Sequence, residues 1–350
     1  MREVTLPGQT NITVTGINNA GQMAVHSSNL NYTVNSVHRV NVNGQVESAT
    51  ANSIGYRYAR VGGISEAGEV VINGSPLDTV NGTPIGYWTP GVGATSLVST
   101  EPAWYQLDTF NMNSSHVAVG WAQYGGPDSS VPSGMAMAFS PTSGGTLNPG
   151  YWDGDNIARD IDDSGNIVGC VNLNPIMWRP DGSYVSLAQP NTYGSASSIN
   201  SSGLISGTLN DSAGKHLAIW NTSGQLLHKI FIGDRPTIPH VLSEKSFIND
   251  NGDVVVSVTR NGVVRQYFWS QSTGLLDITS SITNTGGGIL TMMGINNRRE
   301  IIAYGIYGNN LKSNLLLTPV PEPSELIVLG VGLVGIALRR RKKLSENRRA

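Results

Sequence analysis

Sulfur and charge are both scarce in this chain, and each scarcity removes a class of explanation. One cysteine, Cys170, stands in 350 residues, which excludes an intrachain disulfide and any zinc site built on paired cysteines. It lies in the apolar run Ile167-Val168-Gly169-Cys170-Val171, the setting of a buried structural thiol and not of a nucleophile. Charged residues make up 13%, about half the usual share for a soluble domain. The 22 basic and 24 acidic residues nearly cancel, so no positive field exists to hold nucleic acid. Long amphipathic helices are missing as well. Instead, 42 glycines with abundant Asn, Ser and Thr separate short apolar runs, which is turn chemistry repeated many times.

What is present is a repeat. The pattern Ile-Asn/Asp-x-x-Gly-x-apolar-apolar starts at Ile17, Ile64, Ile161, Ile199, Ile248 and Ile295, with a degenerate copy at Met112. Successive anchors are 47, 48, 49, 38, 49 and 47 residues apart. In each copy an apolar strand enters a turn whose Asn or Asp caps the backbone and whose Gly supplies a positive φ. A second apolar strand follows. Then comes an aromatic strand such as Ile176-Met177-Trp178 or Ala218-Ile219-Trp220, a turn, and a further strand. Four short strands per period of about 47 residues predict a β-propeller blade.

The expected fold is therefore all-β: a seven-bladed β-propeller over residues 1–318, with an open β-solenoid as rival. The last copy is only half length. Its missing outer strands are expected from Glu3-Val4-Thr5-Leu6 and Ile12-Thr13-Val14-Thr15, which would close the ring and hide its sheet edges. The repeat resembles the bacterial extracellular HAF-repeat family, through His216-Leu217-Ala218-Ile219-Trp220 with Gly224 and, more weakly, His38-Arg39-Val40 with Gly44. The resemblance implies an extracellular architecture and no chemistry.

The carboxyl end has a different composition. Val320-Pro321-Glu322-Pro323-Ser324 leads into the apolar run 326–338, and Arg339, Arg340, Arg341, Lys342 and Lys343 follow at once. Residues 319–350 hold seven basic and three acidic residues, so the body keeps 15 and 21 and is mildly acidic. This tripartite tail resembles the PEP-CTERM sorting signal, which implies an exosortase as partner and an exported protein. The 13 apolar residues are short for a lone span of about 20, yet a short hydrophobic helix there could be held transiently, with the basic cluster 339–350 on the cytoplasmic side. Pro321 and Pro323 keep the motif 319–325 extended and open to a protease. An uncleaved tail anchor is the plainer alternative. The first residues, Met1 to Gly8, contain no apolar h-region. An export signal is accordingly expected upstream, in a longer reading frame.

Catalytic signatures are missing: no Gly-x-Ser-x-Gly elbow, no His-Glu-x-x-His, no phosphate loop. Six histidines are scattered without ligand spacing, and His116 occupies a repeat glycine position. Acids concentrate at Asp153, Asp155, Asp160, Asp162 and Asp163. A glycosidase needs two carboxylates across a cleft, and no second acidic cluster supplies the partner. Asp160-x-Asp162-x-Ser164-Gly165 mimics a calcium loop, but Val171 stands where the bidentate Glu belongs. No cofactor and no metal are expected. Trp88, Trp178, Trp220 and Trp269 fall in the repeat's aromatic strand and are expected as core. Trp104, Tyr105, Trp121, Tyr124, Tyr151 and Trp152 lie off that register and are the candidates for stacking on a sugar. The expected function is a non-enzymatic surface or matrix protein that binds polysaccharide, with a polysaccharide-degrading enzyme as the alternative.

Overall fold

The structure is a computed structural model that describes residues 2–7, 9, 11–28, 35–76, 85–97, 104–124, 134–147, 156–234, 245–260, 263–282, 289–306 and 312–319. Two compact units divide the chain, Met1–Leu317 and Thr318–Ala350. The apolar run 326–338 and its expected helix lie outside the described residues.

Each repeat folds as one antiparallel four-stranded sheet, and the described residues form seven of them. We name the strands A to D from the channel outward. The A strands are Asn11–Ile17, Tyr56–Ile64, Trp104–Met112, Ile157–Ile161, Tyr193–Ile199, Ser246–Ile248 and Ile289–Ile295. Every one ends on its repeat anchor. The polar residue after the anchor bends the chain back: Gln22 N–H donates to Asn18 Oδ1 at 2.9 Å, and the same bond recurs in all seven turns, down to Glu300 N–H on Asn296 Oδ1 at 3.0 Å. Glycine follows at positive φ in five of them, for example Gly165 at 83°. His116 and Arg299 hold that place at φ 60° and 59°.

Burial falls from the channel outward. The B strand Ile167–Val171 is buried throughout, whereas the D strand Val46–Thr50 alternates exposed and half-buried residues. The apolar residues gather in seven clusters, and each cluster is shared by two neighbouring blades. Trp88, Trp178, Trp220 and Trp269 are buried in these interfaces, each packing back onto the preceding blade. Burying one such ring contributes roughly 2–3 kcal/mol, so the seven clusters, and not the sheet ladders alone, hold blade to blade. Cys170 is a fully buried thiol, as its apolar setting implied.

The ring closes, with one correction to the expected pairing. Arg2–Glu3 forms the outermost strand of blade 7, opposite Leu316 and Leu315, and Val4 N–H donates to Asn314 O at 2.7 Å. Ile12 to Thr15 do not join that blade. They belong to the A strand of blade 1, because Ile17 is the anchor that ends it. Their hydrogen bonds to blade 7 run through one side chain, Asn314, whose Oδ1 accepts from Val14 N–H and whose Nδ2 donates to Ile12 O, both at 2.9 Å, while Val14 and Ile12 pack with Ile302 and Leu316. The short 38-residue interval has a local cause. The B, C and D strands of blade 4, Ile167–Val171, Asn174–Trp178 and Tyr184–Ser186, are shorter than the 7-, 7- and 8-residue strands of blade 5.

Candidate functional site

The A strands surround a central cavity of about 400 Å³. Their geometry selects which side chains reach it. Register shifts interrupt the A–B ladder just before the anchor in blades 1, 2, 3, 4, 5 and 7. Such a bulge leaves one residue unpaired and re-aims it. The residues so released are Thr15, Gly62 and Gly63, Phe110, Arg159, Ser197 and Met293, and every one lines the cavity. Across the bulge the B strand carries glycine in several blades. A Cβ on Gly120 or Gly169 would sit 1.9 Å from the backbone oxygen of Asp108 or Ile157, so the tight bulge requires glycine there.

The two ends of the cavity differ in charge. At the turn end the residues one and two beyond the anchors link the blades across their boundaries. Asn18, Asn113, Asn200, Asn249 and Asn296 each donate an Nδ2–H to the backbone oxygen of the equivalent residue in the next blade, at 2.8–3.4 Å. One residue further on, Asn19 N–H donates to Glu66, Ser114 N–H to Asp163, Ser201 N–H to Asp250, Asp250 N–H to Asn297 and Asn297 N–H to Asn19. Burial at the site and the charges of Asp250 and Asp163 push the Glu66 carboxyl above its usual range.

At the opposite end the strands begin, and there Arg60, Arg159 and Lys245 line the cavity. Lys245 Nζ lies 4.9 Å from the centre of the Phe110 ring. Burial, with Arg159 as a like charge nearby, lowers its ammonium to about 8. Arg159 is buried and donates from Nε to Ser195 Oγ at 3.1 Å. Arg60 donates from Nε to the Tyr58 hydroxyl, with Asp108 as a nearby opposite charge.

The acids singled out in the sequence separate into different tasks. Asp160 is buried and accepts four hydrogen bonds: Asn111 Nδ2 at 2.5 Å and Ile161 N at 2.9 Å on Oδ1, Ser198 Oγ at 2.7 Å and Ile199 N at 2.9 Å on Oδ2. It thereby joins blades 3, 4 and 5, and burial raises its pKa in spite of these donors. Asp162 closes its own turn on Asn166 through both oxygens, at 2.8 Å each. Asp163 receives Ser114 from the preceding blade. Their donors commit these three carboxylates to separate partners. Among the described residues no group of three or more His, Cys, Asp or Glu side chains is placed to hold a metal. Asp153 and Asp155 lie outside the described residues.

Of the candidate aromatics, Trp121 is half-buried on the B strand of blade 3, opposite Asp108 and Ala136. Trp104 opens the A strand and Tyr124 closes the B strand of that blade, paired with one another at the end away from the anchor turn. Tyr105 follows on the same A strand. The side chains of Trp104, Tyr105 and Tyr124, and all of Tyr151 and Trp152, lie outside the described residues, as do Val320 to Ser324 and Arg339 to Lys343. Sequence reasoning missed Phe110, Arg159 and Lys245. The available signal was their position two or three residues before an anchor, where the repeat otherwise carries small or apolar residues.

Comparison with known proteins bears on the tail and on the fold separately. Residues 319–342 match the PEP-CTERM protein-sorting motif. The match suggests an exported protein that an exosortase processes, held transiently at the membrane. Among the described residues no helix is long and apolar enough to cross a membrane. The body is similar in fold to virginiamycin B lyase from Staphylococcus aureus, at 12% identity and a TM-score of 0.53, covering 91% of this chain and 99% of that one. The β-propeller domain of the Trilobed protease from Pyrococcus furiosus aligns at 12% identity and 0.51, covering 90% and 100%. Prolyl oligopeptidase B from Galerina marginata aligns at 11% identity and 0.54, covering 90% of this chain and 49% of the enzyme. At such identities the likeness is one of fold alone. No curated protein matches the chain.

Proposed function

We propose that this chain is an exosortase substrate delivered to the cell surface or extracellular matrix, where its propeller binds polysaccharide without cleaving it. The observation that carries the reading is the sorting motif at residues 319–342, joined to a closed seven-bladed ring. A rigid ring displays loops, and loops carry recognition on such scaffolds. The resemblance of the repeat to the HAF family, through His216 to Trp220, supports the extracellular destination. The off-register aromatics Trp104, Tyr105, Trp121, Tyr124, Tyr151 and Trp152 supply the stacking faces. The hydrogen bonding of Asp160, Asp162 and Asp163 speaks for a non-enzymatic role, because a glycosidase needs two carboxylates facing substrate.

Deletion of residues 320–350 is expected to abolish surface retention in the native host. Mass spectrometry of the mature surface protein is expected to end near Ser324, and an intact terminus through Ala350 would refute processing. A glycan array run alongside an assay for released product separates binding from cleavage. Product release that is lost in Asp155→Asn would replace the binding protein with an enzyme.

A further inference from the structure

We propose that the cationic end of the channel is a binding site for a carboxylate-bearing ligand of monosaccharide size, seated among Phe110, Arg159, Ser197 and Lys245. Four consecutive blades, 3 to 6, deliver these residues to one cavity. Three of them are the residues released by the bulges, so backbone geometry fixes their aim before any ligand arrives. The cavity, at about 400 Å³, lies within the range of small-molecule sites.

The chemistry of the lining selects the ligand. Lys245 has no hydrogen bond and no ion pair to any described residue, and its ammonium lies over the ring of Phe110, 4.9 Å from the ring centre. Arg159 stands near enough for its charge to act on the ammonium. Two cations sharing a partly desolvated cleft repel one another, and an anion between them reverses the sign of that term. Ser197 lines the same cavity and its buried hydroxyl has no hydrogen-bond partner among the described residues. Phe110 adds an apolar face beside the charges. A cation pair, an unpaired hydroxyl and an aromatic ring match a ligand with a carboxylate, hydroxyl groups and a C–H face, as in a sugar acid. The acids of the turn end sit two residues beyond the anchors, and Lys245 and Arg159 two or three before them, roughly 3.3 Å per residue away along the strand. Asp108 also lines the cavity, near Arg60, so an anion is drawn toward the Lys245 side of the strand-start end. The site rests on the channel and not on the sorting motif, so its failure leaves the proposed destination untouched.

The test is calorimetric titration of the full-length protein with galacturonate, galactose, acetate and an oligogalacturonide. Galacturonate is expected to bind and galactose to fail. Lys245→Gln is expected to weaken galacturonate by about tenfold or more, the scale of a lost charged hydrogen bond, whereas Lys245→Arg keeps most of the affinity. Binding of the oligogalacturonide as well assigns the site to a glycan unit, and binding of the monomer and acetate alone assigns it to a free small carboxylate. Phe110→Leu, which leaves both cations in place, is expected to weaken galacturonate more than acetate. Saturation by neither galacturonate nor acetate, or equal affinity in wild type and a folded Lys245→Gln protein, would overturn the proposal.

Discussion

The two ends of the channel are built on opposite principles. At the turn end nearly every polar group is committed to a neighbour: turn caps, amide links between blades, and carboxylates on backbone N–H groups. At the strand-start end three cations, Arg60, Arg159 and Lys245, line the cavity with one acid, Asp108, near Arg60, and the lysine has no hydrogen bond or ion pair to a described residue. The first arrangement lowers the free energy of the ring; the second raises it. That difference teaches where to look for recognition in a repeat protein, because an energetic cost that no blade interface needs is retained for something else.

The largest expected effect comes from breaking the committed end. Asn249 accepts Asp253 N–H and donates both to Asn296 O at 3.0 Å and to Asp253 Oδ2 at 3.1 Å. Asn249→Asp keeps the cap, removes the donor and sets two carboxylates together. It is expected to cost on the order of 3 kcal/mol, from a buried acceptor left unsatisfied, read as a lowered midpoint in chemical denaturation. Removing the cost at the other end works in reverse. Lys245→Met is expected to stabilise the protein at pH 7 by on the order of 2 kcal/mol. The sign follows from the ammonium's native value of about 8, below its usual 10.5. Wild-type stability rises as pH climbs through 8 toward 10.5, where the unfolded chain holds the extra proton. The advantage of the variant therefore fades over that window, and an advantage independent of pH would contradict the buried-charge account.

A smaller gain should come from completing the ring of amide links. Its two gaps follow Ser65 and Asp162, the turn residues whose side chains carry no amide, so blades 2–3 and 4–5 lack the bond. Other groups bridge both interfaces: Asn73 bonds Thr109 at 2.6–3.0 Å, and Asp160 bonds Ser198 and Ile199. With the Asn166 amide turned over to offer its oxygen, as Gln22 does to Asn18, Asp162→Asn supplies the missing donor toward Asn200 O and is expected to add about 1 kcal/mol, seen as a higher thermal midpoint. The smallest effect belongs to Glu66, whose pKa is raised first by desolvation of its carboxyl and then by Asp250 and Asp163, although much of the residue's surface stays open to solvent. With a native value above 4.5, it contributes stability below 4.5 that is lost as pH rises through the native value. Glu66→Gln should flatten that slope slightly, opposite in sense to the Lys245 window, and an unchanged profile would remove Glu66 from the electrostatics of the ring.

Much of this was legible in the chain. The anchors Ile17 to Ile295 mark the ends of all seven A strands, because an apolar residue followed by a capping Asn and a Gly can only end a strand and turn. The four aromatic-strand tryptophans are core for the same local reason. The closing strand was legible in kind but not in register. Ile12 to Thr15 read as a spare outer strand until the anchor at Ile17 is given precedence. The acids at 160–163 read as one cluster. Adjacent residues on a strand and its turn point in different directions, and each acid found a different donor.

By itself the sequence determined the number of blades, the turn chemistry, the inter-blade core and the sorting motif at 319–342, all of which depend on residues close together along the chain. Only the tertiary structure decided which side chains meet inside the ring. Phe110, Arg159, Ser197 and Lys245 are spread over 136 positions of sequence, and no local pattern joins them. They come together because six of the seven inner strands bulge just before the anchor and all seven face one axis, a condition that only closure of the ring imposes.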